Sequence, residues 1–209
     1  MIRAVISDFG GVLTTPLIES FRAYQDESGV RFEDLGKAMM RAAEKSGEYP
    51  LFELEKGHIT EAEFLAMIEA ELGGGVRLGS LRDTYFAHLQ PNEPMISYLR
   101  GLREEGLRLG LLTNNVREWE PLWRAKLPDV DELFEVIVDS AFVGMRKPES
   151  EIYTLTLERM GGGLRAEECV FLDDIEVNCE AARELGMSAV RFQDNDQAIA
   201  ELEAALGRS

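Results

Sequence analysis

Short apolar runs separated by helical patterns constrain the fold of this chain more than any other feature. Five runs are nearly continuous in apolar and β-branched residues: 4–7, 107–112, 136–138, 169–172 and 188–192. A continuous run, as opposed to one that alternates with polar residues, is typical of a parallel strand covered by helices on both faces. Apolar residues at helical spacing fill the segments between the later runs. The sequence therefore predicts an α/β fold with a Rossmann-like parallel sheet.

The segment between the first run and residue 90 breaks this alternation. It contains no strand-like run, and its apolar periodicity predicts four helices. These predicted helices are 18–24, 32–43, 60–72 and 78–89. We expect a core domain built from residues 1–16 and 91–209, with a small α-helical cap domain, residues 17–90, inserted directly after the first strand.

Charge and cysteine content exclude several classes of function. The chain has 209 residues, with 22 Lys and Arg against 39 Asp and Glu, which gives a net charge of −17. Such a surface repels nucleic-acid phosphates and anionic lipids, so we expect neither nucleic-acid nor membrane partners. Two cysteines, Cys169 and Cys179, are too few for a disulfide framework or a metal cluster. Without a signal-peptide pattern or a long apolar segment, we expect a soluble, reduced, cytoplasmic protein, whose oligomeric state the sequence does not indicate.

Polar side chains follow four of the five predicted strands. They are Asp8, then Thr113 and Asn114, then Lys147, and finally Asp173, Asp174 and Asn178. Two glycines, Gly10 and Gly11, follow closely after Asp8. In an open parallel sheet the carboxyl ends of the strands meet at one edge, where ligands bind. Carboxylates gathered there repel one another, so they raise their pKa values or bind a cation. Hard oxygen ligands with few histidines or cysteines nearby favour Mg²⁺.

Several of these residues have a simpler structural interpretation. Asp8 could stabilise a turn, and Asp174 could be the N-cap of the next helix. Lys147 precedes Pro148, which we expect to open a helix, and the macrodipole disfavours a cation at that end. An unpaired lysine there indicates either a neighbouring anion or ordinary solvation.

Four motifs in this order resemble those of the haloacid dehalogenase-like hydrolase superfamily: DFGGVL, LLTN, RKP and FLDDIEVNCEAARELGM. The helical insertion is similar to the α-helical cap of that superfamily. The closest resemblance is to the subgroup that contains bacterial sugar-1-phosphatases and the phosphatase domain of soluble epoxide hydrolase. The resemblance implies a Mg²⁺-dependent phosphatase acting on a small phosphorylated metabolite, with a sugar phosphate as the expected substrate.

The resemblance also assigns roles to the residues at the strand ends. Asp8 would attack phosphorus and form an aspartyl-phosphate that water hydrolyses, and Lys147 would neutralise charge beside it. The residues expected to hold the phosphoryl group are Phe9, Gly10, Thr113, Asn114 and Lys147. The expected metal ligands are Asp8, the backbone carbonyl of Gly10, Asp174 and Asp173. Of these, Asp173 would act through water or by orienting Lys147.

Gly10 departs from the family pattern, which usually has a second aspartate two residues after the nucleophile. That aspartate supplies general acid–base catalysis, commonly worth about 100- to 10,000-fold in rate. Three interpretations remain open. The substrate could have a better leaving group, a cap residue such as Glu53, Glu55 or His58 could supply the proton, or the chain could be a slow enzyme that mainly binds a phosphorylated ligand. A metal-free dehalogenase fits less well, because it gives the paired acids no cation to hold.

Overall fold

The structure, a computed structural model, describes residues 1–208. Its five strands form one sheet in the order β3-β2-β1-β4-β5, and all neighbouring strands are parallel. The strands are β1 Ala4–Ser7, β2 Arg108–Thr113, β3 Val136–Asp139, β4 Cys169–Asp173 and β5 Ser188–Arg191. Each bound lies within one residue of its prediction. The predicted parallel α/β fold is confirmed.

The central strand shows why its sequence is continuously apolar. In β1, Val5 packs into the hydrophobic cluster on one face of the sheet and Ile6 into the cluster on the other, and both are fully buried. Ile6 is in register with Gly110 of β2 and Phe171 of β4. Because successive side chains point to opposite faces and both faces are covered, every position of the strand is selected for burial.

The segment that follows β1 is helical. Its helices are α1 Leu17–Ser28, α2 Phe32–Ser46, α3 Pro50–Glu55, α4 Glu61–Leu72 and α5 Leu81–His88. Four of them were predicted, and α3 was missed because six residues are too few for an apolar periodicity to show. Four of them, α1, α2, α4 and α5, share a hydrophobic cluster of their own, which includes Tyr24, Leu35 and Ile68. We call residues 17–90 the cap segment; its status as a separate domain stays a prediction.

The remaining helices cover the two faces of the sheet. They are α6 Glu93–Glu104, α7 Glu120–Lys126, α8 Val130–Leu133, α9 Ser140–Val143, α10 Ser150–Met160, α11 Glu176–Glu184 and α12 Asn195–Ala205. Contrary to expectation, Pro148 does not open a helix, because α10 begins at Ser150. Within residues 1–208, no helix combines the length and the apolar character needed to cross a bilayer.

Candidate active site

The polar strand ends meet around β1. Asp8 directly follows β1, Thr113 is the last residue of β2, and Asp173 is the last residue of β4. Both β2 and β4 pair with β1, and the strand order reverses on its two sides. This switch point, at the carboxyl end of the strands, is where open parallel sheets bind ligands.

Lys147 lies between two of the acids. Its Nζ is 2.7 Å from Oδ1 of Asp8 and 2.7 Å from Oδ2 of Asp173, and its side chain is only 1% exposed. Of the two alternatives, a neighbouring anion and ordinary solvation, the structure shows the first, and the anions are the protein's own Asp8 and Asp173. Burial alone would lower the pKa of Lys147, but the charges and hydrogen bonds of Asp173 and Asp8 outweigh it and raise that pKa. Lys147 is a fixed positive charge in the site.

A hydrogen-bond network holds this lysine from both sides. The amide of Asn178 donates to both oxygens of Asp173, at 3.0 and 3.1 Å, and the N–H of Ile175 donates to Oδ1 at 2.8 Å. On the other side, Asn114 accepts from the Lys147 N–H at 2.8 Å and donates to its carbonyl at 3.0 Å. Asp173 thus has its oxygens engaged by protein groups, which fits an orienting role better than direct metal ligation.

Asp174 is the acid best placed to share a cation with Asp8. It does not act as a side-chain cap for α11, which begins at Glu176 and has no side-chain cap. One oxygen each of Asp8, Asp173 and Asp174 lie within 4.8 Å of one another. Burial, with the charge of Asp173, raises the pKa of Asp174 to about 6. Burial and the neighbouring carboxylates also raise the pKa of Asp8 to about 7, although Lys147 opposes the shift. This crowded set of hard oxygens fits Mg²⁺.

Gly11 allows the backbone to approach these acids. Its φ is +76°, and a Cβ added there would lie 3.0 Å from Cγ of Asp174 and closer still to its Oδ2. A side chain at Gly10, by contrast, would meet only the side chain of Leu17, at 3.3 Å. The sequence pattern of two glycines after Asp8 therefore has a strict steric cause at the second position and a looser one at the first.

Unpaired backbone donors surround Asp8. The N–H groups of Phe9, Gly10 and Asn114 have no hydrogen-bond acceptor anywhere in the described chain. Side-chain packing fixes them, since the Phe9 ring contacts Trp123 with centroids 5.2 Å apart and Thr113 is buried. Orphaned N–H groups beside a buried lysine make a receptor for the oxygens of an anion.

The cap residues expected to supply a proton are each paired with another side chain. Glu53 and His58 contact each other at 2.9 Å, and Glu55 contacts Arg146 at 2.6 Å. Of these three acid–base candidates, only Glu55 lines the cavity above the strand ends. Sequence reasoning missed Tyr85, which lines the same cavity. Its position within an apolar helical pattern gave no signal.

Comparison with known proteins identifies the family. A family model for haloacid dehalogenase-like hydrolases matches residues 2–186. The chain belongs to this family. The resemblance inferred from the four motifs is thereby confirmed.

Individual relatives match most or nearly all of the chain. Bifunctional epoxide hydrolase 2 of Sus scrofa is 29% identical over 99% of this chain, which spans only 39% of that relative's length. The sesquiterpene phosphatase astK of Aspergillus oryzae is 29% identical and matches 98% of this chain and 97% of its own. Among solved structures, a haloacid dehalogenase (HAD) family enzyme of Bacteroides thetaiotaomicron, in complex with magnesium and inorganic phosphate, is 27% identical to this chain. Its TM-score is 0.68, and the match covers 92% of this chain and 95% of the other.

Proposed function

We propose that this hydrolase is a Mg²⁺-dependent phosphatase that acts on a small phosphorylated metabolite through an aspartyl-phosphate on Asp8. One observation carries the proposal: a buried carboxylate, paired with the buried Lys147, sits among backbone N–H groups that have no acceptor. Such an arrangement places a nucleophile at the centre of a receptor for phosphoryl oxygens.

The proposed reaction has two displacements at phosphorus. A carboxylate oxygen of Asp8 forms a bond to phosphorus, while the bond from phosphorus to the ester oxygen breaks and the departing oxygen takes up a proton. Water then attacks phosphorus, the bond to Asp8 breaks, and phosphate leaves. The N–H groups of Phe9, Gly10 and Asn114, the hydroxyl of Thr113 and the charge of Lys147 stabilise the phosphoryl oxygens. Positioning and electrostatics supply most of phosphoryl-transfer catalysis, and these groups can provide both.

Asp8, Asp174 and the backbone carbonyl of Gly10 would hold Mg²⁺, and Asp173 would orient Lys147. When bound, the ion would neutralise charge on the phosphoryl group and offset the repulsion between the acids. The magnesium and phosphate in the Bacteroides thetaiotaomicron enzyme support this assignment. The name of the Aspergillus oryzae relative supports release of phosphate from an organic ester. The sugar phosphate suggested by the motifs stays a prediction.

Gly10 favours a second candidate function, a catalytically weakened protein that binds a phosphorylated ligand. Glycine has no side chain that could protonate the leaving oxygen, and the nearest atoms to a Cβ built at Gly10 belong to the apolar side chain of Leu17. This candidate predicts ligand-dependent thermal stabilisation without product release.

Phosphate release from a panel of phosphate monoesters, with and without EDTA, tests both candidates. We expect metal-dependent turnover in the wild type and loss of about 1,000-fold or more in Asp8→Asn, because the amide is a poor nucleophile. Equal release by wild type and Asp8→Asn would contradict the phosphatase proposal. Ligand-induced stabilisation without turnover in the wild type would favour the binding protein.

A further inference from the structure

A cavity of about 290 Å³ lies between the cap segment and the carboxyl edge of the sheet. Gly10, Thr113 and Asn114 form part of its wall, so it is continuous with the proposed phosphoryl site. The rest of the wall is mostly apolar and comes chiefly from the cap segment, including Phe21, Met39, Leu51, Phe64, Leu65 and Ile68. The group that is attached to a bound phosphoryl group would therefore extend into an apolar chamber.

The two acidic side chains of this wall are already paired within the protein. Glu61 contacts Arg82 at 2.9 Å and accepts from the indole N–H of Trp119 at 2.8 Å. Glu55 is likewise paired with Arg146 at 2.6 Å.

The two asparagines of the wall are engaged as well. Asn114 exchanges two hydrogen bonds with the Lys147 backbone, and Asn115 accepts from the N–H of Val116 at 2.9 Å. A sugar placed here would exchange water for a mostly apolar wall and leave most of its hydroxyls without partners, which is costly. An apolar group would lose no hydrogen bonds on entering the cavity.

We propose that the substrate is a phosphate monoester of an apolar alcohol, with an alkyl or alkenyl chain that fills the cavity. This inference rests on the proposed phosphatase function and names its substrate class. The cavity, at about 290 Å³, has room for such a chain, and its apolar wall would contact the chain along its length.

A chain-length series tests the substrate class. The substrates are butyl, hexyl, octyl and decyl phosphate, with glucose 6-phosphate as the polar comparison, all assayed with Mg²⁺ for phosphate release. We expect kcat/KM to rise by about threefold or more for each added methylene up to the length that fills the cavity, because each methylene leaves water. Glucose 6-phosphate hydrolysed as well as octyl phosphate, or a series without length dependence, would overturn the inference while leaving the phosphatase function intact. Hydrolysis of none of the esters would instead contradict the phosphatase function.

Two neighbouring methionines of α2 provide a matched pair of variants. Met39 lines the cavity and is half-buried, whereas Met40 is 56% exposed and does not line it. Glutamine has nearly the shape of methionine and carries no charge, so it changes only polarity. We expect Met39→Gln to lower kcat/KM for octyl phosphate about tenfold and for butyl phosphate by less than about threefold. Met40→Gln should change neither. Equal losses in the two variants, or none in Met39→Gln, would argue against a chain in this cavity.

A separate observation concerns Tyr85. This side chain is only 9% exposed and lines the same cavity as Gly10, and its hydroxyl has no hydrogen-bond partner within residues 1–208. Burial, together with the charges of Asp8 and Asp174, raises its pKa, so the hydroxyl keeps its proton. A hydroxyl without a partner in the protein, in the cavity that Gly10 also lines, is available to the departing oxygen.

We infer that Tyr85 donates a hydrogen bond to the leaving oxygen of the substrate, in place of the acid absent at Gly10. As the bond from phosphorus to that oxygen breaks, the electron pair goes to the oxygen, which takes a proton from a water molecule through the Tyr85 hydroxyl. The hydroxide that remains is the nucleophile that displaces Asp8 from phosphorus in the second step, so the whole reaction consumes only that water.

Leaving-group dependence tests this role. We expect Tyr85→Phe to lower kcat/KM for octyl phosphate by about 10- to 100-fold, because an alkoxide needs the proton. For p-nitrophenyl phosphate, whose leaving group is stable as an anion, the loss should stay below about threefold. The control is Tyr24→Phe, because Tyr24 is a buried tyrosine of the cap segment that does not line the cavity. Equal losses on both substrates in Tyr85→Phe would show a structural role and overturn the assignment.

Discussion

At the scale of single residues, Gly11 combines two constraints that can be separated by experiment. Its φ of +76° disfavours any side chain, and a Cβ there would press against Asp174. We expect Gly11→Ala to lose about 1–2 kcal/mol of stability from the left-handed conformation alone. It should also lose about tenfold or more in kcat/KM, because the carboxylate of Asp174 has to move. Denaturant unfolding and phosphate release measure the two effects.

Gly29 is the control for backbone strain. Its φ is +71°, yet a Cβ there would meet nothing within 4 Å, and the residue ends α1 away from the site. Gly29→Ala should therefore lose a similar amount of stability and keep its activity. Activity retained in Gly11→Ala would show that the contact with Asp174 is unimportant.

Asp139 gives a pH-dependent prediction at the same scale. Burial raises the pKa of Asp139 to about 6, although the N–H of Ala141 and the indole of Trp123 oppose the shift. Between about pH 4 and about pH 6 the folded protein therefore binds a proton that the unfolded chain has released, so stability falls as pH rises through this window. Above this pH window Asp139 is ionised in both states, so the loss of stability caused by its buried charge no longer changes with pH. We expect Asp139→Asn to be more stable than the wild type at neutral pH by about 1–3 kcal/mol, with the difference disappearing in acid.

The substitution is conservative because Asn keeps the bond that Oδ1 of Asp139 accepts from the Ala141 N–H, at 3.1 Å. Asp194, an exposed N-cap of α12, is the control, since Asp194→Asn removes a charge that is not buried. Thermal unfolding across the pH range measures both variants. A wild type more stable than Asp139→Asn at neutral pH would contradict the prediction.

Strand-end acids could be predicted from the sequence, whereas their partners could not. Asp8 and Asp173 each stand at the end of an apolar run, so their position follows from the sheet alone. The pairing of Lys147 with both depends on how the loop between α9 and α10 crosses the edge of the sheet. Tyr85 depends on how the cap segment lies over that edge. Neither arrangement leaves a local pattern in the sequence.

At the scale of elements, the short helix α3 joins the cap segment to the core. Glu55, its last residue, contacts Arg146, and Lys56 contacts Glu149, each at 2.6 Å. The Arg146 guanidinium also lies 3.9 Å from the ring centre of Phe52. A Cβ at Gly57 would overlap the backbone of the core at Ala141. This junction holds the cap segment against the loop that carries Lys147.

A double-mutant cycle on Glu55 and Arg146 measures the strength of the junction. Both side chains are largely buried, so we expect a coupling free energy of about 1–2 kcal/mol between Glu55→Gln and Arg146→Gln. The exposed pair Arg31 and Asp34, at 2.9 Å, should give less than about 0.5 kcal/mol in the same cycle. Equal coupling in the two pairs would show that burial of the junction contributes nothing.

Elements differ in how well their sequences predict them. The strands were found to within one residue because they are buried on both faces, which leaves an uninterrupted apolar run. Helix α3 has six residues and takes its stability from contacts with the core rather than from its own pattern. The start of α10 was misplaced because Pro148 is equally compatible with the turn before a helix.

At the scale of the whole molecule, the net charge of −17 and the cluster of three acids both lower the stability of the folded protein through repulsion. Any salt screens the general repulsion and stabilises the fold, so an effect of Mg²⁺ has meaning only at matched ionic strength. A bound divalent ion would add a specific stabilisation, because it binds the folded protein and not the unfolded chain.

We expect millimolar Mg²⁺ to raise the melting temperature of the wild type by about 3–6 °C over NaCl of the same ionic strength. Asp174→Asn should lose this specific increase, since one proposed ligand of the ion is gone. Without Mg²⁺ the same variant should melt at or above the wild-type temperature, because removing one of three crowded carboxylates relieves repulsion. Differential scanning calorimetry of both proteins in the two salts measures these effects. An equal Mg²⁺ increase in Asp174→Asn would place the ion elsewhere on the acidic surface and remove the main support for a metal at the carboxyl edge of the sheet.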